Sequence, residues 1–427
     1  MSQSLVALCQ RRVLGRVERD PRGRLTFRYD AAWRADPGAH PLSVSMPLAT
    51  ERHDHDVVEP FLQGLLPDSR DVLERWARRF GVSPSGPFGL LTAVGEECAG
   101  AVQFVSESRV GALAAASHAP TDVEWLDETE IGARLAALRD DASATRAPRD
   151  TAQFSLAGAQ PKIALHRSGD RFGVPRGATP TTHILKPPLP ELRGHAENEH
   201  LCLALARELR LPAARSEVRS FAGELAIVVA RFDRVLHAGR VQRVHQEDLA
   251  QALAVHPAAK YQADGGPSPA AIVALLRLHS DEPASDVDTF TRALLFNWLI
   301  GGTDAHAKNY ALLHAPGSLV RLAPLYDVAS ILPYAQYDPR RTKLAMKIGA
   351  HDRLHDITEA DWRRLALELA LPEESLVLAS RAMRTTLRAA IPSATARALA
   401  DGLAPAPVRA LERALLTRLD TLDRHPT

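Results

Sequence analysis

The sequence predicts an α+β protein of two lobes, a β-rich N-terminal lobe with an extra N-terminal subdomain before it and an all-helical C-terminal lobe. Three observations carry this expectation. Short strand-like apolar runs crowd residues 151–235. Helical patterns dominate from about residue 240 onward. The chain has 427 residues, 45% of them apolar, enough for more than one compact core. A β-rich half followed by an α-rich half predicts a cleft between two lobes.

Residues 1–108 read as a small mixed subdomain. LTFRYD, Leu25 to Asp30, alternates apolar and polar residues as a strand does. Downstream, Asp68 or Ser69 can cap a helix that carries Leu73, Trp76, Ala77 and Phe80 on one face and stops at Gly81. GAVQFV, Gly100 to Val105, is a second strand candidate. Residues 109–150 read as a linker with a short helix in EWLDETEIGARLAALRD. In residues 151–235, KIALHR, FGVP, THILKP, SEVRSF and ELAIVVARF read as strands. One helix interrupts them, with Leu201, Leu205 and Leu209 one turn apart. Residues 236–427 read as helical, through QEDLAQALAV, PAAIVALLRLH, DVDTFTRALLFNWLIG, TEADWRRLALELAL and the last 50 residues.

Composition narrows the function classes. The net charge of +1 gives no global field toward nucleic acid. From Arg381 to the end there are eight arginines against four acidic residues, a bias best read as a solvated helical face. Cys9, Cys98 and Cys202 are far apart, which argues against a disulfide framework or a zinc site and fits a reducing cytosol. The longest apolar runs are too short for a signal segment or a membrane span, so the expected location is cytoplasmic.

The strongest chemical signal is GGTDAHAKNY, Gly301 to Tyr310, which follows an apolar helix candidate. Buried polar groups cost about 1–3 kcal/mol each unless paired, so this polar cluster serves no evident packing purpose. Asp304 and Asn309 have the D-x-x-x-x-N spacing of a protein-kinase catalytic loop, where the Asp takes the substrate hydroxyl proton and the Asn holds magnesium. Asp327 follows 18 residues later in LAPLYDVAS and can complete an oxygen-rich magnesium site. Lys186, ending THILK, can neutralise phosphates; Glu197 or Glu199 can pair with it, Glu199 being preferred. In FSLAGAQPK, Gly158 allows close backbone approach to phosphate oxygens, although the run matches neither a Walker loop nor G-x-G-x-x-G. VVARFDR stands where a kinase hinge would be, with Ala230 and Phe232 offering backbone groups to adenine and Asp233 a carboxylate to the ribose. His245, Gln246 and Asp248 read as a cap for the next helix.

AGAQPK, THILKP, ARFDR, HQED, KYQADGG, TDAHAKN, PLYDV and LAMKIG occur together and in this order, preceded by LLPDSR and GEECAGAVQF. The set resembles the HipA family of serine/threonine kinases, the toxins of bacterial toxin–antitoxin pairs, over most of the chain. The resemblance implies a two-lobed protein-kinase-like fold using ATP and Mg2+. It makes Asp304 the catalytic aspartate, Asn309 and Asp327 the magnesium ligands, and Lys186 the ATP-phosphate lysine. The loop Gly158–Lys162, including Gln160, becomes the phosphate loop, and Ala230, Phe232 and Asp233 fall at the hinge. His306 and Tyr326 border the nucleotide, and Ser155 is the autophosphorylated serine whose modification stops activity. Two departures stand out: Gly302 replaces a frequent Asn, which bears on loop rigidity, and Pro161 replaces a frequent Glu and brings no N–H. The implied partners are a helix-turn-helix HipB-like antitoxin, operator DNA through that antitoxin, and a protein substrate, an aminoacyl-tRNA synthetase in some members. Two other readings remain, a catalytically weak module that binds antitoxin or DNA, and a small-molecule or lipid kinase.

Overall fold

The computed structural model describes residues 3–115, 123–145, 155, 157–176 and 178–424. The chain divides into two compact units. The first comprises Met1–Pro187, Ser220–Ala258 and Ala311–Val320, and the second Pro188–Arg219, Ala259–Tyr310 and Arg321–Thr427. The first unit therefore takes in the expected subdomain and linker and most of the expected β-rich lobe.

The first unit opens with a five-stranded antiparallel sheet in the order Arg52–His53, Leu25–Tyr29, Arg12–Arg19, Gln3–Cys9, Val102–Val105. Residues 5–9 of the strand Gln3–Cys9 are buried on both faces. Leu5, Ala7 and Cys9 join the large core with Phe27, Phe61 and Trp76, while Val6 and Leu8 pack with Val105 and Leu113 on the other side. Helix Arg70–Phe80 starts where the Ser69 hydroxyl accepts from the Val72 N–H and ends on Gly81 at φ 63°.

The first unit also holds the strands Val123–Leu126, Arg171–Pro175, Ile163–Ser168, His183–Lys186 and Glu224–Ala230, neighbours in that order. Helix Glu128–Asp140 begins in a capping box of Asp127 and Glu130 and buries Ile131, Leu135 and Leu138 against Phe172, Phe221 and Val228. The expected linker is thus partly core. Its residues Val123–Leu126 extend the sheet by pairing with Arg171–Pro175.

In the second unit, helix Pro283–Ile300 is buried almost all round, through Phe290, Leu294, Leu295, Phe296, Trp298 and Leu299 among others. Helices His195–Glu208, Pro269–His279, Glu359–Glu368, Ser375–Ala400 and Pro405–Arg424 belong to the same unit. The arginine excess of the last two helices is taken up in exposed ion pairs such as Arg388 with Asp420 and Asp423 and Arg384 with Asp423.

Two expectations are corrected. Residues 236–427 are not all helical: Arg240–Arg243, His245–Asp248, Ala311–Ala315, Leu319–Leu322, Lys343–Ile348 and His351–Arg353 are strands. HQED is one of them, pairing with Ala311–Ala315, and only Leu249–Ala252 of the expected helix forms. Asp248 does cap that short helix, in a capping box with Gln251. All three cysteines are free and buried. Among the described residues, no helix is long and apolar enough to cross a membrane.

Candidate active site

The polar loop of the second unit begins where helix Pro283–Ile300 ends on Gly301, in the left-handed conformation at φ 67°. The next N–H, of Gly302, donates to the Asn297 carbonyl at 2.7 Å. A Cβ at Gly302 would collide with the Asn297 side chain, which a larger residue here would have to displace. The loop then folds around the carbonyl of Asp304, which accepts from the His306 N–H at 2.8 Å and from Asn309 Nδ2 at 2.7 Å. The Asn309 N–H donates to the His306 carbonyl at 2.9 Å. Asp304 and Asn309 are therefore held together by one direct bond and by His306 between them. The Asp304 side chain is 66% exposed while His306 is 4% exposed, with His306 Nε2 3.9 Å from Asp304 Oδ1.

The segment bearing Asp327 is anchored at both ends within the same unit. Leu325 exchanges backbone bonds with Pro212 and Ala214 at 2.8 Å each. Asn198, buried on helix His195–Glu208, donates to the Ser330 carbonyl at 2.8 Å and accepts from the Ser330 N–H at 2.9 Å. Between these anchors Asp327 adopts φ 57°, which is uncommon for a residue with a side chain and costs of order 1 kcal/mol or more. Tyr326, expected beside the nucleotide, donates its hydroxyl to the Lys308 carbonyl at 2.7 Å and so ties this segment to the loop of Asp304 and Asn309. Glu197 and Glu199 are both buried on helix His195–Glu208.

The donor types of Asn309 and Asp327 fit magnesium. One amide and one carboxylate oxygen suffice for an ion that completes its shell with phosphates and water. The Asn309 amide nitrogen is committed to Asp304, so Oδ1 is the atom it could offer to a cation. Among the described residues, no group of three or more His, Cys, Asp or Glu side chains forms a metal site independent of such a substrate.

In the first unit, Ser155 is fully buried. Its N–H donates to the Glu97 carbonyl and its hydroxyl to the Leu65 carbonyl, both at 2.8 Å. Gly158 has φ 108°, and its carbonyl accepts from the Asp68 N–H at 3.2 Å. A Cβ at Gly158 would lie 2.5 Å from Lys162 Nζ, so glycine here makes room for the lysine. That ammonium donates to the Ala157 carbonyl at 2.7 Å and closes the loop on itself. Gln160 Nε2 reaches the Pro187 carbonyl at 3.0 Å. Lys186 is 5% exposed and ends its strand opposite Ile227. Ala230 pairs with His183, and Phe232 is half-buried just beyond it.

Asp233 is a correction. Its carboxylate is buried and accepts from Arg231 Nε and Nη2, the Gly100 N–H and Gln246 Nε2 at 2.8–3.1 Å, with Arg234 Nη1 at 2.9 Å. With its oxygens so occupied it is a structural anchor and not a ribose ligand. The same arginines lead to Glu97, which sequence reading had not singled out. Glu97 meets Arg231 at 3.3 Å, Arg234 at 2.9 Å, Arg243 Nε at 3.1 Å and the Thr181 hydroxyl at 2.7 Å. Burial alone would raise its carboxyl pKa. The guanidiniums of Arg243, Arg234 and Arg231 override that and hold it well below the usual carboxylate range.

The chain is similar to known proteins over most of its length. Residues 154–394 match the HipA-like C-terminal domain and residues 5–105 the HipA N-terminal domain. The chain belongs to the HipA family of kinases. A protein of Sinorhizobium fredii named as the putative kinase Y4mE is 37% identical over 91% of this chain and 90% of its own. The serine/threonine-protein kinase toxin HipA of Shewanella oneidensis is 29% identical over 75% of this chain and 72% of its own. Among solved structures, the Shewanella oneidensis complex of HipA, HipB and operator DNA matches with a TM-score of 0.80 and 26% identity, over 98% of this chain and 97% of that one.

Proposed function

We propose that this protein transfers the γ-phosphate of ATP to a serine or threonine hydroxyl of a protein target. The observation that carries the reading is the loop in which Asn309 holds the Asp304 carbonyl and leaves the Asp304 carboxylate exposed. In this reading Asp304 orients the acceptor hydroxyl and takes its proton. A bond forms between that oxygen and the γ-phosphorus, the bond to the β,γ-bridging oxygen breaks, and ADP leaves. His306 borders the base. Lys186, Lys162 and Gln160 with the loop at Gly158 serve the phosphates, and the backbone of Ala230 and Phe232 serves the adenine. Magnesium, held by Asn309 and Asp327, would neutralise charge on the β- and γ-phosphates.

Incubation with γ-labelled ATP, alone and then with cell extract, tests the reading. Label is expected on protein and only with a divalent ion, and Asp327→Ala is expected to lower transfer strongly at every ATP concentration. Transfer that persists in excess chelator would mean that the metal site is misassigned. Label appearing only on lipid or small molecules would favour the small-molecule or lipid kinase, and no label at all a binding module.

The regulatory part of the proposal is that Ser155 becomes phosphorylated and that this switches the kinase off. Its support is the docking of Ser155: a phosphate brings about −1.5 to −2 charges, and a phosphoserine has no hydroxyl to donate to Leu65. Mass spectrometry after incubation with ATP and magnesium is expected to find phosphate on the Ser155 peptide. The separated phosphoform is expected to bind nucleotide weakly, and equal affinity of the two forms would rule out an off-switch. The proposed partner is a HipB-like helix-turn-helix antitoxin, which in turn contacts operator DNA, because the Shewanella oneidensis relative was solved with both. An aminoacyl-tRNA synthetase is the proposed target class.

A further inference from the structure

Tyr261 stands 43 residues before Asp304 and donates its phenolic hydroxyl to Asp304 Oδ1. Its ring meets the His306 ring edge-on, with centroids 4.9 Å apart and an interplanar angle of 84°. The neighbouring Lys260 carbonyl accepts the Ala307 N–H at 3.3 Å, so residues 260 and 261 lie along the polar loop. The turn that delivers them is purpose-built. Gln262–Asp264 form one short 3-10 turn, Gly265 leaves it at φ 94°, and the Gly266 N–H returns to the Tyr261 carbonyl at 2.9 Å. A Cβ at Gly266 would sit 2.3 Å from the Ala259 carbonyl and 2.7 Å from that of Tyr261. Next to it, Gln262 Oε1 accepts from the Lys347 N–H at 2.8 Å. The run KYQADGG therefore folds into a bracket that sets the Tyr261 hydroxyl on the proposed base.

We infer that Tyr261 is a positioning residue for phosphoryl transfer, its hydroxyl holding the Asp304 carboxylate in the orientation in which it meets the acceptor hydroxyl. The inference rests on the reading of Asp304 as the base. His306 Nε2 lies 3.9 Å from Oδ1, and Lys260 Nζ lies 5.5 Å from the centre of the Tyr261 ring. Fixing the base matters because a misplacement of about 1 Å can cost on the order of 10²-fold in rate.

Tyr261→Phe in the full-length protein keeps the ring against His306 and removes only the hydroxyl. The measurement is kinetic: kcat is expected to fall about tenfold with KM for ATP unchanged, a part of the roughly 10²- to 10⁴-fold that a general base supplies. An unchanged kcat would overturn the inference and reduce Tyr261 to packing, and so would a fall in kcat matched by a rise in KM for ATP. Should the unaltered protein transfer no phosphate, the kinase reading itself fails; transfer by the unaltered protein that Tyr261→Phe leaves intact overturns the inference alone.

Discussion

Asp304→Asn is expected to lower phosphate transfer by about 10²- to 10⁴-fold, the range of a lost general base, while leaving the thermal unfolding midpoint unchanged. The second half of that expectation follows from exposure. The side chain is 66% open to solvent, so no buried charge is stranded when it becomes an amide. The asparagine keeps an oxygen to accept from Tyr261, and the bonds that shape the loop run to the backbone carbonyl of residue 304, which the substitution does not touch. Nucleotide affinity serves as the control for an intact site. Near-normal labelling by the variant would remove Asp304 from the mechanism.

Glu97→Ala is expected to have the largest effect on stability. It removes one of two acidic groups from a buried cluster with three arginines and leaves Asp233 to balance Arg231, Arg234 and Arg243. Breaking a buried ion pair by deleting one partner costs about 3–5 kcal/mol. Denaturant unfolding of the two proteins measures this, and a loss under about 1 kcal/mol would contradict it. Acid is expected to act on the same cluster. The folded pKa of Glu97 lies below its unfolded value. Its contribution is therefore complete above the usual glutamate pKa of about 4.3 and is lost as the pH falls through the depressed folded value.

What the sequence made legible was local. Ile163–Ser168, Arg171–Pro175 and His183–Lys186 carry strand composition between turn residues, and Arg70–Phe80 has its cap, its apolar face and its terminal glycine within one short stretch. The loop at Asp304 stood out because a polar cluster follows an apolar helix. Gln3–Cys9 was overlooked because its residues 5–9 are buried on both faces and show no alternation. QED reads as the start of a helix, with His245 among its capping residues, because the strand partner of HQED, Ala311–Ala315, lies more than sixty residues downstream. Separation also hid Glu97, whose arginine contacts lie 134 to 146 residues away, and Tyr261, 43 residues from Asp304. Asp233 does follow closely on the strand Glu224–Ala230, as its place in VVARFDR predicts. The bonds of its carboxylate were not legible, because they depend on Gly100, Gln246 and the arginines.

The complete burial of Ser155 has a kinetic consequence. While its hydroxyl is bonded to the Leu65 carbonyl, no phosphoryl donor can reach it. Any chemistry at Ser155 must wait for the segment to detach, as amide exchange waits for local opening. When detachment and return are fast relative to the chemistry, the rate at which phosphate accumulates is the rate for the detached segment multiplied by the fraction of time spent detached. Under the proposed phosphorylation the serine would work as a clock set by the strength of two contacts to backbone carbonyls, one of Leu65 and one of Glu97. Each 1.4 kcal/mol added to their grip slows that clock tenfold.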